Sequence, residues 1–133
     1  MNPTVEPVDR ANASTDIPDL LRRYTDAWHR HDLDAIMSMH TGDTVFHLHD
    51  GNAAAAGADA VREAFPLVLA VYPDLTAAQT AVDVGDEHAV VQSIMRSSVG
   101  GTVVEAEAVD VFRFVDGLIS RKDTYLDTAA LAG

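Results

Sequence analysis

The residue best suited to chemistry in this sequence is Asp110, an acid within a run of apolar residues. Residues 109–115 are rich in β-branched and aromatic side chains, which is typical of a strand. Alternation along that strand places Asp110, Phe112 and Phe114 on one face of a sheet. A carboxyl group on an apolar face is costly to bury unless it is hydrogen-bonded, ion-paired or protonated. The pattern therefore indicates an aspartate that binds a ligand or transfers a proton.

A hairpin follows this strand and brings further polar side chains beside it. The Asp-Gly pair at 116–117 tolerates the positive φ of a tight turn, and a second extended run comes after it. Lys122 and Thr124 share one face of the returning strand. Lys122 is unusual on a face that lines a pocket. An ion pair from Asp110 to Lys122 or to Arg96 is the structural alternative to a functional role for Asp110.

Two histidines, His47 and His49, lie on one face of an earlier predicted strand. Two histidines on one face of a strand can supply two ligands of a metal site, and Asp110 is a candidate third ligand. The other histidines, His40 among them, fall in polar segments or turns, and we expect them to be solvated.

The elements that must position these residues form an α+β pattern. Apolar residues spaced three and four apart predict a helix from Ile17 to Trp28, and Asp32 can cap a second helix that ends at His40. The remaining predicted elements are a strand at 44–49, a helix at about 59–71 kinked or broken by Pro66, and strands at 75–84, 88–98, 102–115 and after 117. Helices that are separate from an antiparallel meander are expected to cover one face of the sheet.

The totals limit the functional classes. The 133 residues suit one domain, with 1–16 as a flexible leader and 17–133 as the folded part. A formal net charge of −12 argues against nucleic acid and anionic membranes as partners. The absence of cysteine removes disulfides, thiolate nucleophiles and zinc–thiolate sites. No hydrophobic run is long enough to span a bilayer, the N-terminus lacks the features of a signal peptide, and we expect a cytoplasmic protein.

Three motifs, in order, connect these elements to a known family. They are Arg23-Tyr24 with Asp32-Leu33-Asp34-Ala35-Ile36, then Pro73-Asp74-Leu75, then the hairpin at 109–119 with Tyr125-Leu126-Asp127. Over roughly residues 20–127 the chain resembles the nuclear transport factor 2-like superfamily, and within it the ketosteroid isomerases and SnoaL-type polyketide cyclases. The resemblance implies a curved antiparallel sheet wrapped around N-terminal helices, a cone-shaped pocket of the cystatin-like type, and a homodimer.

The resemblance also implies roles for individual residues. Tyr24 and a protonated Asp110 match the two hydrogen-bond donors of the isomerases. His47 or His49 stands at or next to the position of their aspartate base, and a histidine suits proton abstraction near neutrality. The catalytic aspartate of the cyclases corresponds to Thr124, which counts against their usual mechanism. The predicted substrate-binding residues are Trp28, Phe65, Phe112, Lys122 and Thr124.

The predicted function is an acid–base enzyme that acts on a small apolar carbonyl compound through an enolate-like intermediate. Isomerisation, cyclisation and dehydration all fit this description. We expect no metal and no cofactor, because the branches that the chain resembles need none. The alternative is a non-catalytic domain of the same fold that binds a small molecule or forms a dimer.

Overall fold

The structure is a computed structural model that describes residues 16–132, so the predicted leader lies, except for Asp16, outside the described residues. In chain order the elements are α1 (Ile17–His29), α2 (Leu33–Ser38), β1 (His40–Leu48), β2 (Ala55–Ala56), α3 (Ala58–Val71), β3 (Thr76–Val84), β4 (His88–Val99), β5 (Thr102–Val115), β6 (Leu118–Leu126) and α4 (Thr128–Ala132). Within these described residues, no helix is long and apolar enough to cross a membrane.

The strands form one curved, open sheet of six strands in the order β2-β1-β6-β5-β4-β3. The last four strands in the chain form the predicted antiparallel meander, and β1 joins its end by pairing in parallel with β6. The hairpin between β5 and β6 turns at Asp116 and Gly117, whose φ angles are 52° and 79°. Two consecutive positive φ angles are what a two-residue hairpin of this hand requires. The predicted α+β fold is therefore confirmed.

The helices cover the concave face of the sheet. One side of α1 is apolar and buried, as its spacing predicts, and the buried positions are Ile17, Leu20, Leu21, Tyr24, Ala27 and Trp28. Asp32 caps α2 by accepting a hydrogen bond from the backbone N–H of Ala35 at 3.1 Å. Phe65 of α3 is fully buried and packs edge-on against Trp28 and Phe46. These contacts fix α1 and α3 as the walls above the sheet.

Three local predictions differ from the structure. β1 begins at His40, whereas the sequence places His40 in the second helix and starts the strand at residue 44. In sequence, residues 41–43 resemble a turn. In the structure they form an irregular part of β1, where the pairing with β6 shifts register between His40 and Val45. Pro66 lies inside α3 without dividing it. The short elements β2 and α4 were not predicted.

Asp74, from the second family motif, fastens the end of α3 to the sheet. Its carboxylate accepts hydrogen bonds from the Ser97 hydroxyl at 2.6 Å, the Ser98 backbone N–H at 2.6 Å and the Ser98 hydroxyl at 2.9 Å. These hydrogen bonds lower the pKa of Asp74 to about 2, and the bond from the Ser97 side chain has the largest effect. Since the folded-state pKa lies below the ordinary value of 3.8, the stabilisation is present above pH 3.8 and is lost as the pH falls through about 2.

We therefore expect Asp74→Ala to lower the urea midpoint at pH 7, and the difference from wild type to shrink as the pH approaches 2. The matched control is Asp83→Ala, which removes the same charge from an exposed position on β3. Equal midpoints for the Asp74 and Asp83 variants at pH 7 would contradict the structural role of Asp74.

Candidate active site

A cavity lies between the helices and the concave face of the sheet. Its volume is about 90 Å³, several times the roughly 10–15 Å³ that one water molecule needs. Most of its lining is apolar and comes from α1, α3 and strands β1 and β3–β6. Six of the predicted site residues line it, namely Tyr24, Trp28, Asp110, Phe112, Lys122 and Thr124. A largely apolar cavity with a few polar side chains is the usual form of a small-molecule site.

Asp110 is held in the cavity by its cross-strand neighbour. Asp110 of β5 lies opposite Thr124 of β6, and the Thr124 hydroxyl donates a hydrogen bond of 2.5 Å to Asp110 Oδ1. Among the described residues, Asp110 forms no ion pair with Lys122 or Arg96, and Arg96 instead pairs with Glu105. The ion-pair alternative is therefore wrong. No hydrogen bond to Asp110 Oδ2 is present within residues 16–132, which leaves that oxygen available to a ligand.

Tyr24 belongs to a buried chain of three hydrogen-bonded side chains. The Tyr24 hydroxyl lies 2.9 Å from His40 Nε2, and His40 Nδ1 lies 2.8 Å from the Thr44 hydroxyl. Burial raises the pKa of Tyr24 above its ordinary value, the nearby indole N–H of Trp28 lowers it by less, and the charge of Asp110 adds a smaller increase. The Tyr24 hydroxyl therefore stays protonated across the physiological range. Its one hydrogen is donated to His40 Nε2 or into the cavity, according to which ring nitrogen of His40 carries the proton.

His40 is the residue beside Tyr24 that sequence reasoning missed. Its side chain is only 6% exposed, although we expected it to be solvated. Burial first, and then the charge of Lys122, lower the pKa of His40 to about 3, so the ring is neutral at pH 7. A signal was present, because alternation traced backwards from Phe46 through Thr44 reaches His40 on the same face. The apparent turn at 41–43 hid it.

Lys122 is the single lysine of the sequence, and every other Lys or Arg position is an arginine. The side chain is 8% exposed, and it makes no ion pair with any described residue. Its Nζ lies 4.6–5.8 Å from the centroids of five aromatic rings, those of Tyr24, Trp28, Phe46, Phe65 and Phe112.

These surroundings act on the Lys122 ammonium in opposite directions. Ring faces attract a cation by about 0.5–2 kcal/mol each, whereas removing an ammonium ion from water costs several kcal/mol. Burial is the larger effect and lowers the pKa of Lys122, and the charge of Asp110 raises it by less. The free amine is thus easier to form at Lys122 than at a solvated lysine.

Trp28 and Phe65 complete the predicted binding set in different ways. Trp28 lines the cavity, and its indole Nε1 is buried without a hydrogen bond of normal geometry among the described residues, although it lies near enough to the Tyr24 hydroxyl to affect the pKa of that group. Phe65 does not line the cavity but packs behind it, below the Lys122 ammonium.

His47 and His49 lie outside the cavity. The parallel register pairs Phe46 with Lys122 and His47 with Asp123, so the two histidines lie on the face of the sheet opposite to Lys122. The expectation that they converge with Tyr24 and Asp110 is therefore wrong. Alternation correctly places the two histidines on one face but does not say which face, and a shift of one residue in register exchanges the two faces.

On that outer face the histidines join a different cluster. His49 Nε2 lies 2.8 Å from Asp123 Oδ1, and His47, His49 and Asp123 bring three ligand atoms within 4.8 Å of one another. These residues could hold a metal ion. However, Arg121 makes two hydrogen bonds to the same carboxylate, at 2.8 and 3.1 Å, and a bound cation would have to displace that guanidinium. Asp110 is not part of this cluster.

Solved structures share this fold at low sequence identity. A candidate SnoaL-like polyketide cyclase from Jannaschia sp. CCS1 aligns with a TM-score of 0.82 and 20% identity, over 90% of this chain and 91% of its own. TerC, co-crystallised with polyporic acid, aligns with a TM-score of 0.77 and 18% identity, over 86% of this chain and 93% of its own. A protein of ketosteroid isomerase-like fold from Catenulispora acidiphila, in complex with trimethylamine, aligns with a TM-score of 0.77 and 14% identity, over 85% of this chain and 88% of its own.

The family itself is established by sequence. No curated protein matches the chain. Residues 21–122 match the family model of the SnoaL-like domain, a segment that contains Tyr24, Asp110 and Lys122 and covers well over half of the chain. The resemblance drawn from the three motifs is thereby confirmed, and the chain belongs to the SnoaL-like domain family.

Proposed function

We propose that this protein is an acid–base enzyme that moves a proton next to the carbonyl group of a small, largely apolar compound. One observation carries the proposal: the Asp110 carboxylate is fixed by Thr124 inside an apolar cavity, with Oδ2 unoccupied by any described residue. A positioned carboxylate in a site shielded from water is a typical general base. Family membership and the shared fold support a small-molecule substrate.

In this mechanism Asp110 acts as the base. Since the Thr124 hydroxyl donates to Oδ1, it stabilises the charged carboxylate and orients Oδ2. His47 and His49 lie on the opposite face of the sheet and cannot replace it. The cavity lining does include His29, but its Nε2 accepts a hydrogen bond from the Ala77 backbone N–H at 3.0 Å. We therefore assign Asp110 the role of base instead of the donor role that the family resemblance implies.

Tyr24 supplies the donor for the oxygen that becomes negatively charged. Its hydroxyl stays protonated, and in the tautomer of neutral His40 that carries the ring proton on Nε2, the ring donates to the Tyr24 oxygen and leaves the Tyr24 hydrogen for the substrate. Donors that are already oriented towards a developing oxyanion lower the barrier to enolate formation. The enolate can then be reprotonated at another carbon, close a ring or eliminate water, so isomerisation, cyclisation and dehydration share this first step.

Binding of 2-naphthol tests the oxyanion site, because a phenolate oxygen resembles that of an enolate. We expect Tyr24→Phe to weaken 2-naphthol binding by about 10- to 100-fold, the effect of losing a hydrogen bond to a charged group. The matched control is Tyr72→Phe, which removes a hydroxyl from another tyrosine of the cavity lining and should change the affinity little. Equal losses for the two variants, or none for Tyr24→Phe, would contradict the donor role.

A further inference from the structure

We propose that Lys122 forms a covalent imine with the carbonyl carbon of an aldehyde or ketone bound in the cavity. The inference deepens the proposed function and rests on it for the substrate class. It assigns to the cavity a nucleophilic amine, a role that nothing above requires. The inference starts from the position of the lysine.

No ion pair with a described residue accounts for the buried position of Lys122. A buried lysine is rare unless an acid pairs with it, and no described acid does so here. The sequence uses arginine at every other Lys or Arg position, yet its single lysine lies in the cavity wall. Arginine is always protonated, whereas a lysine amine can lose its proton and act as a nucleophile. At position 122, lysine therefore offers what arginine cannot, a side chain that can become a neutral nucleophile.

The aromatic surroundings favour both states that an imine mechanism needs. Desolvation makes the neutral, nucleophilic amine accessible, as in other enzymes with a lysine in a hydrophobic pocket. Once the imine has formed and been protonated, its positive charge lies among the same five ring faces, within cation–π distance. The rings would thus stabilise the intermediate after the amine has reacted.

The acid–base groups that such a reaction needs lie on the neighbouring strand and on α1. In the β5–β6 register Phe112 lies opposite Lys122 and Asp110 opposite Thr124, so Asp110 is a diagonal neighbour of Lys122 on one face. Diagonal neighbours on a sheet are within reach of long side chains. Tyr24 lies on the other side of the amine, with its ring centroid 5.0 Å from Nζ.

The reaction balances with these groups and one proton from solvent, which is returned when the imine is hydrolysed. The neutral amine attacks the carbonyl carbon, the C–N bond forms as the C=O π bond breaks, and a proton passes from the nitrogen to the oxygen to give a carbinolamine. The hydroxyl group then leaves as water with the proton from solvent, and the protonated imine remains. Asp110 then removes the α-proton, and the electron pair moves into the C=C bond of an enamine. After reprotonation, addition of one water restores the product carbonyl and the free lysine.

Reductive trapping tests the imine directly. The probe is 3-phenylpropanal, a small apolar aldehyde with α-protons, given with cyanoborohydride to the full chain and followed by intact mass and peptide mapping. We expect one adduct at Lys122, formed at least about 10-fold faster than on the protein unfolded in urea. The adduct should be lost in Lys122→Arg, and excess 2-naphthol should suppress it in wild type.

Labelling of the α-amino group serves as an internal control, because it should be the same in both proteins. Trapping confined to the α-amino group, or trapping at Lys122 that is no faster than in urea, would overturn the imine. Lys122→Met serves as a second variant, and the urea midpoint of each variant shows whether it is folded.

A second readout separates this inference from the proposed function. Wild type and Lys122→Arg are compared for exchange of the α-protons of 4-phenylbutan-2-one with D₂O. A loss of at least about 100-fold in Lys122→Arg supports the imine. Exchange at the wild-type rate in Lys122→Arg overturns the imine and leaves direct proton transfer by Asp110 standing. Trapping at Lys122 without any α-proton exchange in wild type supports the imine and overturns the proton transfer.

Discussion

Replacing Asp110 with leucine is expected to lower the rate of α-proton exchange by about 10²- to 10⁴-fold, the usual contribution of a general base. Leucine is close to aspartate in size and fits an apolar wall, so the fold should survive. It also removes the acceptor of the Thr124 hydroxyl, which then has no partner among the groups identified here. The measurement is kcat/KM for exchange, together with a urea midpoint to show that the variant is folded.

Asp110→Asn separates the two roles that have been considered for this residue. Asparagine keeps an oxygen for the Thr124 hydroxyl and adds donor N–H groups, but it cannot take up a proton. If Asp110 is the base, Asp110→Asn should be nearly as inactive as Asp110→Leu. If Asp110 is the protonated donor that the family resemblance implies, asparagine should reduce the rate only modestly. Full activity in Asp110→Leu would remove Asp110 from either role.

Acidification is expected to destabilise the protein through His40 before most carboxylates titrate. The folded-state pKa of His40 is about 3 and its ordinary value is 6.5, so the unfolded chain binds more protons between these values. Stability therefore rises with pH across this window and is lost as the pH falls. Between pH 6.5 and about 4.5 the expected loss in the free energy of unfolding is about 2 kcal/mol, a sizeable fraction of the total for a domain of this size.

The check is a urea titration series over that pH range on wild type and His40→Gln. Glutamine is neutral at every pH, so this variant should be less stable at pH 7 but should show a flatter dependence on pH. The matched control is His88→Gln, at an exposed position, which should keep the wild-type slope. A wild-type slope in His40→Gln would show that His40 is not the source of the acid sensitivity.

Sequence patterns predicted most of the fold because its strands carry strong local signals. Turn chemistry at 116–117 and glycine at 100 and 101 divide the meander, and β5 begins and ends where it was expected. Asp110, Lys122 and Thr124 were correctly grouped because one hairpin fixes their relative register. Side chains that meet across a single hairpin could therefore be predicted from the sequence.

The rest of the site depends on contacts that local patterns do not specify. The position of β1 against β6 is a parallel pairing between distant segments, and the irregularity in it helps to determine which histidine is buried beside Tyr24. His40 could have been found by alternation, but His47, within β1, and His49, just after it, matched the family position more closely. The aromatic rings around Lys122 come from two helices and two strands, and no spacing in the sequence predicts that convergence.

The most direct test of the central claim, that the chemistry takes place in the cavity and not at the outer histidine cluster, is α-proton exchange from 4-phenylbutan-2-one into D₂O. It is measured with 2-naphthol as a cavity competitor, and separately in a His47→Ala, His49→Ala double variant. We predict that 2-naphthol inhibits exchange competitively and that the double variant exchanges at the wild-type rate. Exchange that persists with the cavity saturated, or that disappears in the double variant, would contradict the claim and move the site to the outer face of the sheet.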